Sequence, residues 1–147
     1  MSRRTLRFWF VAILASIVCL AGDISGLRTI FADSGYAISY VSATPKRGTH
    51  LLVGDHIALS VTVANKLTVT DKGKIAIVVQ KGDNSPLTPG RKQVMTEVSR
   101  GSGEITLTDE FDVPAGTSLV RVFIPLAPTG YTHTSGEVVI EYPVKKR

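Results

Sequence analysis

Val53 to Lys66 reads V-G-D-H-I-A-L-S-V-T-V-A-N-K, and its alternation decides the fold class. A Gly-Asp turn opens it. Ile57, Leu59, Val61 and Val63 then fall on one face, and His56, Ala58, Ser60, Thr62 and Ala64 on the other. Period-two alternation rich in β-branched residues marks a strand buried on one side only.

Working outward, the same grammar recurs. Short alternating runs are separated by Gly, Pro, Asn, Asp and Ser clusters, with no helical periodicity after the N-terminal leader. The runs are Tyr36–Ala43, His56–Lys66, Lys74–Gln80, Gln93–Val98, Gly103–Val113, Ser118–Pro125 and Gly136–Val144. Lys74–Gln80 is apolar on both faces and reads as central. Gln93–Val98 is short and weak and reads as an edge. Seven strands at this spacing, with no internal repeat, predict an all-β chain, a seven-strand antiparallel immunoglobulin-like β-sandwich. It is not of the antibody type, because the buried Cys pair and Trp are missing.

The N-terminus has a different composition. Arg3, Arg4 and Arg7 precede Phe8–Gly22, an uncharged and mostly apolar run of 15 residues. A basic start, a short apolar run and later small residues are the parts of a secretory signal. The run is shorter than the roughly 20 residues of a spanning helix. The expected organisation is therefore residues 1–32 as signal peptide or signal-anchor helix and 33–147 as the sandwich domain. Cleavage is expected after Ala32 or near Ala21 and Gly22, and an uncleaved anchor at Phe8–Gly22 is the alternative. Cys19 invites lipidation, but Val18 stands where a small residue is wanted. The expected location is extracytoplasmic, periplasmic or secreted, with membrane contact only through an uncleaved leader.

From Asp33 onward the chain carries 13 Lys and Arg against 11 Asp and Glu, a net charge of +2. Lys145, Lys146 and Arg147 more than account for the excess. A nucleic-acid binder wants a basic face within the domain, so no nucleic-acid partner is expected. The only Cys and the only Trp lie in the leader, which leaves the remainder without disulfides, thiolate metal sites or a Cys nucleophile.

Candidate chemistry is sparse. His50, Asp55 and His56 offer zinc-type ligands, but no third His is near in sequence, and solvated turn and strand-edge positions are the preferred reading. Asp109, Glu110 and Asp112 form the densest acidic group, without the glycine-containing loop of a calcium hand. Asp109 is in phase with Ile105, Leu107 and Phe111, and a strand end or bulge is expected to turn it to water. Ser102, in Arg100-Gly101-Ser102-Gly103, lacks the spacing of a nucleophile elbow. No catalytic residue, metal or cofactor is expected. Arg121 points away from the apolar phase of its strand, toward Glu137 and Glu141 across the sheet, which predicts an ion pair.

The loops supply the contact candidates. Alternate loops of a sandwich share an end, so Lys46 and Arg47 are expected beside Lys81, Arg91 and Lys92 in one basic rim, diluted by Asp55 and Asp83. The opposite end carries Arg100 and the loop with Tyr131, Thr132 and His133, where aromatic side chains supply contact area. Tyr131 has a second reading, folded back on the end of the core. The partner expected is an envelope protein or a polysaccharide.

The stretch I-S-Y-V-S-A-T-P with L-L-V-G-D-H-I-A-L-S-V-T-V-A-N, within Ile38–Asn65, is similar to the opening two strands of the bacterial cell-adhesion-related (CARDB-like) immunoglobulin-like domains. Pro45, Gly54, Asp55 and Asn65 match that pattern, and Val113–Gly116 sits near its later Pro/Gly turn. Lys66 stands where Gly is usual, and the acidic, Asn-rich ending is missing. The resemblance implies an extracytoplasmic, non-enzymatic module serving adhesion, other binding or a structural role, and names no ligand. The alternative is a fibre or pilus-like subunit, or a periplasmic partner, that pairs through an edge strand.

Overall fold

The structure, a computed structural model, describes residues 35–132 and 136–147. The expectations for the leader, and for His133, lie outside these residues. Among the described residues the chain is all-β, with six strands and no helix. They are β1 (Tyr36–Thr44), β2 (Leu51–Leu52), β3 (His56–Lys81), β4 (Val94–Asp112), β5 (Leu119–Pro128) and β6 (Glu137–Lys145). They join one hydrogen-bonded sheet in the order β1-β3-β5-β6-β2, with β4 paired to β3.

Two pairs of expected strands are fused. His56–Lys66 and Lys74–Gln80 are halves of the 26-residue β3, and Gln93–Val98 and Gly103–Val113 are halves of β4. The linking residues Leu67-Thr68-Val69-Thr70-Asp71-Lys72-Gly73 contain no proline and three β-branched side chains, so the backbone stays extended where a turn was expected. The two-residue β2, parallel to Val144–Lys145 of β6, was not expected at all.

A straight 26-residue strand would measure about 85 Å, more than twice the roughly 35 Å breadth of a domain this size. The ribbon therefore has to bend. Its register slips between Leu67 and Lys72, where four residues of β3 stand opposite the single Arg100 of β4. Before the slip, β3 lies between β1 and the second half of β4. After it, β3 lies between the first half of β4 and β5. Buried side chains from both halves enter one cluster: Leu59, Val61, Val63 and Leu67 from the first, Ile75, Ile77 and Val79 from the second. Val122, Ile124, Ile140 and Tyr142 complete it from β5 and β6.

Gly73 marks the bend. A Cβ there would lie 3.1 Å from the Ala127 carbonyl oxygen and 3.2 Å from Leu67 Cδ2. On β4 the inward phase switches across Gly101-Ser102-Gly103, from Val98 to Leu107 and Phe111. Gly101 takes the left-handed side of backbone space, φ 129°, which a residue with a Cβ adopts only with strain.

Candidate functional site

Hydrogen bonds tie four segments to one end of the molecule. The Tyr142 hydroxyl donates to the Pro45 carbonyl at 2.7 Å, and Gly48 N–H to the Glu141 carbonyl at 3.3 Å. Val53 N–H reaches the Lys145 carbonyl, and Gly54 N–H the Val113 carbonyl. The Arg121 guanidinium joins Asn84 Oδ1 at 2.6 Å to Glu141 Oε1 at 2.8 Å. The links 45–55, 82–93 and 113–118 and the C-terminal residues thus share that end. Burial holds the Tyr142 hydroxyl in its neutral form and pushes its pKa up to about 12.

The carboxylates there are all engaged. Asp55 accepts from Arg147 Nη2 at 2.9 Å and from Leu52 N–H. Asp83 accepts from the hydroxyl and N–H of Ser85, which lowers its pKa. Asp112 Oδ1 lies 2.7 Å from His56 Nδ1, and Glu110 Oε2 lies 3.7 Å from His56 Nε2. The hydrogen bond to Asp112 is the main cause of the raised His56 pKa.

The expected rim residues divide into two kinds. Lys46, Arg47 and Lys92 are exposed and Lys81 half-buried. None of these four forms an ion pair among the described residues, and neither do Lys145 or Lys146. Strand order sets these cations in a row. Lys92 leads into β4, Lys81 ends β3, Lys145 ends β6, and Lys46 and Arg47 sit in the link bonded to β6. Four strand spacings span about 19 Å.

Arg91 is different. It turns inward, its guanidinium carbon 5.7 Å from the centre of the Phe111 ring, and its Nη2 lies 2.6 Å from Asp109 Oδ1. The two side chains are 19% and 9% exposed. The expectation that Asp109 turns to water is therefore corrected. It stays in the inward phase opposite Leu59, and Arg91 comes to it from the loop. Asp109 Oδ1 also accepts from Glu110 N–H, whereas Oδ2 is buried with no hydrogen-bond partner. The same Arg91 Nη2 donates to the Glu110 carbonyl at 2.6 Å. β4 pairs with β3 alone, so this bond satisfies one carbonyl on the free side of an edge strand.

At the other end Tyr131 is 49% exposed and packs edge-on against Tyr36, ring centres 5.7 Å apart. Both readings of Tyr131 thus meet in one position, leaning on the core and open to solvent. Arg100 there pairs with Asp71 at 3.0 Å. Arg121 pairs with Glu141 as the strand phase predicts; Glu137 lies four residues earlier on β6, opposite Pro125. Ser102 is exposed where β4 changes phase. Among the described residues no group of His, Cys, Asp and Glu is disposed to hold a metal ion, and no helix is long and apolar enough to cross a membrane.

The missed pair, Arg91 with Asp109, had one signal in the sequence: an acidic residue in an apolar phase needs a buried cation. The sequence does not say which of the loop cations supplies it. No protein-family model matches the chain, and no curated protein matches it.

Proposed function

We propose that the chain is an exported, non-enzymatic, immunoglobulin-like β-sandwich module that binds an anionic partner of the cell envelope through the end carrying Lys46, Arg47, Lys81, Lys92, Lys145 and Lys146. The bent β3–β4 ribbon, feeding one core from both halves, supports the sandwich. The basic and apolar leader supports export. One observation carries the binding reading: every carboxylate at that end has a partner, while Lys46, Arg47, Lys92, Lys145 and Lys146 form no ion pair among the described residues and Lys81 acts only on Asp83, already held by Ser85. Such a row attracts a polyanion and loses its hold as salt screens it.

The test is retention of the full chain on an immobilised anionic polysaccharide, a polyuronate, against a neutral polysaccharide. Reversing Lys46, Arg47, Lys145 and Lys146 to Glu is expected to weaken retention at least about ten-fold, and reversing Lys66 at the far end to leave it unchanged. Equal retention of all variants would sink the reading. A second reading, strand exchange through an edge, is favoured by the one-sided pairing of β4; its mark would be capture of an extended peptide beside Met95–Val98.

A further inference from the structure

β3, β5 and β6 turn Ile75, Ile77, Val79, Val122, Ile124, Val138 and Ile140 into the core. Strand alternation sends their neighbours to the opposite face. Register aligns Val78, Phe123 and Val139 in one row across three strands. Met95, 59% exposed, stands opposite Ala76 on the flanking strand. A row of three apolar side chains with Pro125 and Met95 beside it is a contiguous patch, not scattered surface residues. A shallow groove bounded by Arg121, Phe123, Val139 and Glu141 runs along it.

The charges around the patch are arranged with a symmetry. On one side lies the row Gln80–Arg121–Glu141, where Arg121 is neutralised by Glu141 within the chain. Toward the other side lie Lys74 on β3 and Glu137 on β6. Glu137 forms no ion pair among the described residues, and Lys74 stands across from Glu97 of β4, whose carboxylate is already bonded to Lys72, and adds only a longer-range attraction there. Lys74 and Glu137 flank β5 on opposite sides and carry opposite charge.

We propose that two copies of this chain pack through this face, related by a twofold axis parallel to β5. That axis lays β5 on β5 and β3 on the other copy's β6. Phe123 then meets Phe123, Val78 meets Val139, and each Lys74, level with Ala127, comes within two residues along the strand of the other copy's Glu137, level with Pro125, a span its side chain covers. A self-complementary patch of this kind is what an isologous interface requires. An apolar centre inside a charged rim is the usual anatomy of such a surface. Four strands by four rows cover about 500 Å², at the low end for a specific contact, so the dimer is weak, in the micromolar range.

Sedimentation equilibrium of the full chain, in the medium in which it is purified and up to millimolar concentration, tests this. The wild type is expected to show a monomer–dimer equilibrium. Lys74→Glu and Glu137→Lys are each expected to weaken it about ten-fold, and the double exchange to restore it to within about three-fold, the coupling that a direct pair shows. Circular dichroism of each variant confirms an unchanged fold. A wild type that stays monomeric throughout overturns the proposal. So does a dimer indifferent to the single reversals, or a double variant as weak as the singles.

Discussion

Arg91 and Asp109 show how one side chain from a loop can govern a strand edge. With Arg91 gone, Asp109 would keep a buried charge with no counterion, and the Glu110 carbonyl would lose its donor. Breaking a largely buried pair from one side costs about 3 kcal/mol, so Arg91→Ala is expected to lower the denaturant midpoint by a corresponding amount. Arg91→Met with Asp109→Leu, which removes both charges, is expected to recover most of it. Urea unfolding of the two variants beside wild type checks this; an Arg91→Ala variant as stable as wild type would contradict the account. Tyr142 gives a second residue-scale outcome. Its pKa rises to about 12 in the folded chain from about 10 unfolded, so the folded state keeps a proton that the unfolded chain gives up. That contribution is intact below pH 10 and is lost as pH climbs from 10 toward 12. Wild type should lose up to about 2 kcal/mol across that window. Tyr142→Phe should lose distinctly less than wild type there, the remainder coming from groups such as Lys72, whose pKa Glu97 raises, after an initial loss of about 1 kcal/mol for the hydrogen bond to Pro45. Thermal melts at pH 9 and pH 11 read the difference.

Among the elements, β3 and β4 explain what was legible in the sequence and what was not. The inward phase of Ile57, Leu59, Val61 and Val63 was plain, because alternation depends only on side-chain order. The fusion of β3 was not, because a bent extended chain and a tight turn use the same residues, Thr68 to Gly73, and differ in long-range register. β2 is too short to alternate. Asp109 was noticed as anomalous, yet its remedy lay in a loop 18 residues upstream, beyond the reach of any periodicity. The basic residues at the contact end were legible as residue types, while the inward turn of Arg91 required coordinates. The bend itself is testable through Gly73. A valine there would press on the Ala127 carbonyl and Leu67, its Cβ alone at 3.1 and 3.2 Å, so those neighbours would have to shift and its two methyl groups would need further room. Gly73→Val is expected to destabilise by about 2 kcal/mol or more, the range for overpacking a closed site, and to raise amide exchange at Lys72–Ile75 and Leu126–Pro128 ahead of the remaining strands. Uniform exchange with no loss of stability would show that β3 and β5 have room to part at the bend.

For the molecule as a whole, the two ends differ in how their charge is used. At the end holding the chain's last residues, carboxylates are drawn into contacts with His56, Arg91, Arg121, Arg147 and Ser85, and Lys46, Arg47, Lys92, Lys145 and Lys146 are left without an ion pair among the described residues. At the other end Arg100 and Lys72 are themselves paired, with Asp71 and Glu97, and Tyr131 offers area without charge. A net charge as small as +2 from Asp33 onward conceals this separation, since only the distribution of pairs reveals it. The apolar face of β3, β5 and β6 lies along the flank between those ends, so pairing of two copies would bring two cationic ends into one assembly and raise avidity for an extended polyanion. The most direct measurement is a map of backbone amide shifts while the full chain is titrated with a polyuronate. The account predicts changes concentrated at residues 46–50, 81–92 and 145–147, fading as salt is added. Changes centred on Tyr131, Lys66 and Arg100, or none at all, would contradict it.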